Sequence, residues 1–139
     1  MTRHRRTARG RAARGRAERG SALVDFVLAI VVLVPVFLGL VQVALVLHVR
    51  ATLAAAAAEG ARLAATADRG PADGVARTWE QVRAARVGGF ATAVTPGYAT
   101  VDGAPVIEIV VHAEVPALGL GGPAVAFDVA GHAVREGTS

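Results

Sequence analysis

Cysteine and lysine are both absent from this chain of 139 residues, and aromatic side chains make up only 4% of it. Without cysteine there are no disulfides and no thiolate metal sites, so any folded domain must rest on packing alone. Without lysine, all 15 basic side chains are arginine, a usage that carries no functional signal by itself. The absence that matters most is local. From Phe26 to Leu47 no residue is charged, and Gln42 is the one strongly polar side chain. A helix of this length, rising about 1.5 Å per residue, covers the ~30 Å hydrocarbon core of a bilayer. Also missing are a nucleophile–base motif, a glycine-rich phosphate loop and zinc-ligand spacing. The expectation is therefore a chain that is not an enzyme, with no cofactor and no small-molecule substrate.

What is present is sharply divided by charge. Residues 1–20 carry eight Arg and one Glu, a net +7, whereas the remainder carries seven Arg and ten acids, a net −3. An arginine-rich arm suits nucleic acid, but the apolar run directly after it favours a membrane. The arginine excess then holds the N-terminus inside and sends the C-terminal portion out. The run is longer than a cleavable signal's apolar region, Val49-Arg50-Ala51 is a poor cleavage site, and Arg5-Arg6 lacks a twin-arginine context. Expected from this are a basic cytoplasmic tail or leader over residues 1–20, a transmembrane helix over 21–48, and an extracytoplasmic α+β domain over 49–139, all in the cytoplasmic (inner) membrane.

Beyond the run, the alanine-rich stretch 48–67 predicts a continuation of the same helix by several turns, since alanine is the best helix former. Gly70-Pro71 and Asp73-Gly74 signal a turn, with Asp73 as the N-cap of a short helix over 74–88. That helix would bury Val75, Trp79 and Val82 and end at Gly88-Gly89. Alternation of apolar and polar residues predicts strands at 106–115 and 125–134 around a glycine-rich loop at 118–123, with a weaker strand signal at Tyr98–Val101. The two strong strands suggest an antiparallel pair packed on the helices around Trp79. His112, His132, Glu108, Glu114 and Asp128 fall at alternate positions, which reads as a solvated sheet face in preference to a metal site.

The residues opening the span carry a resemblance. Gly20-Ser21-Ala22-Leu23-Val24-Asp25-Phe26 resembles the processing site of type IV prepilins, in which a peptidase cuts after glycine on the cytoplasmic side. The acid followed by an aromatic, Asp25-Phe26, is similar to the short pilins of the tight-adherence system, with Asp25 where that family usually has Glu. Val34-Pro35-Val36 inside the span, Glu59-Gly60-Ala61-Arg62 in the alanine-rich helix, and the strand–loop–strand ending near Arg135-Glu136 resemble the TadE-like pseudopilin family. The likeness implies a minor pilus-assembly component that acts structurally. It would be cleaved between Gly20 and Ser21 by a prepilin peptidase and partnered by other pilin-like proteins. Asp25 and Phe26 would set register.

Two plainer readings stay open: an uncleaved single-pass scaffold of an envelope complex, and an arginine-rich nucleic-acid binder. For Asp25 the alternatives are an interfacial helix cap, favoured by the helix dipole, and a partner for a neighbour's new amino terminus. Gly60, Ala61 and Ala64 lie on small-residue tracks of the kind that lets another helix approach closely.

Overall fold

The computed structural model describes the backbone of residues 6–118 and 123–135, and the side chains of residues 21–118 and 123–135. The chain divides into two compact units, residues 1–40 and 41–139.

The described residues of the first unit are helical. Helix α1 runs from Arg6 to Ala65, 60 residues, with Pro35 inside it. The missing N–H of Pro35 removes one helical hydrogen bond without ending the helix, as is common for proline in apolar helices. Phe26, Leu33, Phe37 and Leu40 are 62–66% exposed. Among the described residues this is the one helix long and apolar enough to cross a membrane.

The second unit is built around the C-terminal part of α1. Its inward face is Val49, Leu53, Ala56, Ala57, Ala61, Ala64 and Ala65, all buried. The 3.6-residue repeat puts these positions on one side, and their small size makes that side nearly flat. The helix ends at Ala65, where the Thr66 hydroxyl donates to the Leu63 carbonyl at 2.8 Å. Helix α2 spans Pro71–Ala84, starting three residues before the sequence pattern suggests. Gly70 is the N-cap and Pro71 takes the first helical position, where its missing N–H costs nothing. Asp73 is thus not the cap. It is the third helical residue, and its carboxylate accepts from the Gly70 N–H at 3.0 Å.

The end of α2 also departs from expectation. The glycine pair Gly88-Gly89 does not terminate it. Arg86 does, at a left-handed φ of 59°. The Arg86 N–H reaches the Arg83 carbonyl and the Val87 N–H reaches Val82. This is the Schellman pattern, with Val82 and Val87 both buried beneath the turn.

Three antiparallel strands follow in the order β1-β2-β3: β1 Ala91–Val101, β2 Ala104–Val115 and β3 Val125–Val134. The sequence pattern resolves a pair and only the tail of β1. Thr92 bulges out of the β1–β2 register, and Pro96 sits mid-strand. Both blur the alternation, and both are tolerated because β1 is an edge strand. Asp102 and Gly103, at φ of 51° and 80°, close the β1–β2 hairpin. Two positive-φ residues of this kind make the turn whose twist suits antiparallel strands. Residues 119–122 of the glycine-rich loop lie outside the described residues.

Ile107, Ile109, Val111, Ala113 and Val115 of β2 are buried on the inner face. Val49, Leu53, Val82, Ile109, Val111, Val115 and Val129 form one core, with Val75, Trp79 and Phe127 packed against it. Two glycines permit the close approach. A Cβ on Gly131 of β3 would run into the backbone of Ala57 and Ala58, and one on Gly60 would meet the Thr78 hydroxyl and, at 2.6 Å, the Gly74 carbonyl.

Gly131→Ala in the full-length chain, melted in detergent micelles, should cost about 1–3 kcal/mol, the range for overpacking a tight contact. Gly89→Ala, with nothing within 4 Å of its added Cβ, should leave the melting temperature nearly unchanged.

Candidate assembly surface

The residues at the start of the apolar run all lie on α1. Gly20 and Ser21 are joined by a helical peptide bond. Ser21 and Asp25 are four residues apart, so they share one helix face. Asp25 and Phe26 are both exposed. Phe26 begins a stretch in which Val27, Leu28, Val31, Val32 and Val36 also expose half or more of their surface. This is far more contiguous apolar surface than a soluble protein leaves in water.

Gly60, Ala61 and Ala64 lie elsewhere. All three are buried, and the helix that approaches Gly60 and Ala64 is α2 of the same chain. A Cβ on Gly74 would stand 2.7 Å from the Gly60 carbonyl and 2.8 Å from the Ala64 Cβ. Thr78, fully buried, donates to the Gly74 carbonyl at 2.9 Å with the Ala56 carbonyl at 3.4 Å. A hydroxyl that bonds the preceding turn of its own helix needs no outside partner, so threonine can sit at this crossing.

Around the crossing runs a band of charge. The Glu59 carboxylate lies 3.4 Å from Arg77 and 3.9 Å from Arg62, while Arg77 also reaches Glu80 at 3.3 Å. The Glu59–Arg77 pair ties α1 to α2. These groups are substantially solvated, so each pair contributes little, about 0–1 kcal/mol. The Glu59-Gly60-Ala61-Arg62 segment therefore has a structural use inside the fold: small residues for close packing, flanked by charges.

On the outer face of the sheet, each of two histidines meets a carboxylate on the neighbouring strand. His112 Nδ1 lies 2.7 Å from Asp128, and His132 Nε2 lies 2.8 Å from Glu108. The other ring nitrogen of His112 stands 3.3 Å from the Thr95 hydroxyl. Each histidine and its carboxylate are directly opposed cross-strand partners, a placement in which side chains interact across a sheet face. Among the described residues no three His, Cys, Asp or Glu side chains are grouped to hold a metal.

One residue has a role that sequence reasoning did not assign. Gln42 spends both ends of its amide on the chain following β2: its Nε2 donates to the Pro116 carbonyl at 3.2 Å, and its Oε1 accepts from the Leu118 N–H at 2.9 Å. The available signal was its isolation as the one strongly polar side chain in a run of 22. Nothing local indicates a partner 74 residues away.

No curated protein and no solved structure matches the chain. Residues 20–62, from the glycine before Ser21 to the arginine beside Glu59, match the family model described as TadE-like protein.

Proposed function

We propose that this chain is a TadE-like component of a tight-adherence pilus or secretion assembly. In this reading it is anchored in the cytoplasmic membrane by residues 21–40 and the first turns beyond, with its α+β domain outside. The observation that carries the proposal is the family match over residues 20–62. The exposed apolar surface of residues 23–40 is what such an anchor requires.

The mechanism is structural, that of a minor pseudopilin. The exposed face of α1 packs laterally against other pilin-like helices, in the bilayer and then in the assembly. Removal of the leader by a prepilin peptidase frees an ammonium at Ser21. In a medium of low dielectric, that charge and a neighbour's Asp25 carboxylate attract each other far more strongly than in water. Asp25 is thereby a register mark, one helical turn into the mature chain. The buried Gly60, Ala61 and Ala64 contribute by holding the outer domain on the helix. The arginine-rich leader orients insertion and is then lost.

Three outcomes follow from this reading. A reporter active only outside the cytoplasm should work when fused after Gly122 and fail after Arg16; the reverse pattern would overturn the orientation.

A bulky residue at Gly20 should leave the full-length protein in the membrane, read as an intact mass that still includes the leader. An uncleaved wild-type chain in piliated cells would instead favour the single-pass scaffold.

Asp25→Ala should insert and be cleaved at normal abundance yet fail to co-purify with pilin-like partners or to support piliation. Asp25→Glu should retain both. Normal piliation by a stable Asp25→Ala protein would reduce Asp25 to a helix cap worth about 0.3–1 kcal/mol.

A further inference from the structure

The contact between Gln42 and the chain after β2 sits at one defined end of the outer domain. Strand β2 runs antiparallel to the direction of α1. Its Ile107 packs with Ala64 and Ala65 near the helix C-terminus, while Pro116, just past its last residue Val115, reaches Gln42. The β1–β2 hairpin at Asp102-Gly103 is therefore at the end distant from Gln42, and the chain from Pro116 to Leu118 is at the end next to it.

The chain on either side of the Gln42 contact is uncharged, and the nearest acid on β2 is Glu114, exposed and one residue before Val115. Between Glu114 and Asp128 the sequence has no ionisable residue, and on α1 there is none between Asp25 and His48. The side chains it presents are apolar: Val43 is 58% exposed, Leu47 61%, Leu118 37% and Val125 41%. Val125 pairs with Val115 and so belongs to the same end. Arg50, exposed and eight residues past Gln42, is the first arginine beyond the run, about 12 Å farther along the helix.

The position of this end along the helix follows from chain length. About 20 helical residues span the ~30 Å hydrocarbon core. Counted from Phe26, they reach Leu45, past Gln42. A segment bonded at Gln42 is then at the edge of the bilayer, where unpaired backbone groups are costly. The bonds made there answer that cost. Pro116 has no N–H, its carbonyl accepts from Gln42, and the Leu118 N–H donates to the other end of the same amide.

We propose that this end of the domain is a lipid-contacting foot. Leu118, Val43, Leu47 and Val125 rest in the headgroup–acyl boundary of the outer leaflet, with Gln42 clasping the chain at Pro116–Leu118 to the helix. The occupant is the bilayer itself, continuous with the lipid around the span. Arg50 then lies at the level of the phosphates, where an arginine extends from an apolar surface to an anionic one. The inference rests on the membrane-anchored reading above, and its test separates the two.

The native chain has no cysteine, so single sites can be spin-labelled in the full-length protein reconstituted in phosphatidylcholine–phosphatidylglycerol vesicles. Three labels suffice: Leu33→Cys in the span, Leu118→Cys at the foot and Asp102→Cys at the far hairpin. Each is read by its accessibility to oxygen and to a water-soluble nickel chelate. The expected result is a buried Leu33 site, a fully aqueous Asp102 site, and a Leu118 site whose nickel accessibility is at least several-fold below that of Asp102 with raised oxygen accessibility. A Leu118 site as aqueous as Asp102, with Leu33 buried, would overturn the foot and leave the anchor standing. A Leu33 site open to nickel would overturn the anchor and the foot with it. A Leu118 site shielded from both probes, with spectra that broaden as protein per lipid rises, would overturn the proposal in favour of contact between copies.

Discussion

Backbone-to-backbone proximity along one face of α1 is the constraint on which the outer domain depends. Where β3 crosses the helix, Gly131 leaves no room for a side chain over Ala57 and Ala58; where α2 crosses it, Gly60 and Gly74 face each other. Helices normally pack with axes about 8–10 Å apart, set by the side chains between them. Alanine and glycine reduce that separation, so a domain of fewer than 100 residues can enclose Leu53, Ile109 and Val111 fully. Glycine inside a helix costs about 1 kcal/mol against alanine, a cost that the contact at Gly60 offsets.

The same helix meets two different surroundings with two different compositions. Residues 23–40 are mostly Leu, Val, Ile and Phe, branched and bulky, and largely exposed. From Ala51 to Ala65 the side chains are mostly methyl groups, and those turned inward are covered by α2 and the sheet. Bulk suits a face that must fill space among lipids or other helices. Smallness suits a face that must let a sheet lie flat against it. Polar groups tie the domain to the helix at two places: Gln42 with Pro116 and Leu118 at one, and Glu59 with Arg77 farther along.

Several charged side chains of the domain pair with one another, in the Glu59–Arg77–Glu80 chain and in the His112–Asp128 and His132–Glu108 pairs. Arg69 and Asp73 pair as well, at 3.7 Å. Of these, the Glu59–Arg77 pair joins the two helices and the two histidine pairs join neighbouring strands. The match to the TadE-like family model ends at residue 62, so the sheet and α2 must be understood from their own packing.

The sequence by itself determined the features that depend on one-dimensional pattern. The charge-free run, its continuation as an alanine-rich helix, the apolar side of α2 with Val75, Trp79 and Val82, and the alternation in β2 and β3 are each set by residues close together in the chain. The Gly20-to-Phe26 motif was legible for the same reason. Tertiary structure decided what local pattern does not encode. Strand β1 was obscured by the Thr92 bulge and by Pro96, and exists because β2 offers it a full register. Helix α2 ends at Ala84 with a left-handed Arg86 just beyond, since burial of Val82 and Val87 outweighs the strain of that arginine. Small residues at 60 and 64 admit any close partner, and only the fold makes that partner α2. Gln42 is the clearest case: one amide in an apolar run has no meaning in sequence, because the backbone groups it satisfies lie 74 and 76 residues away.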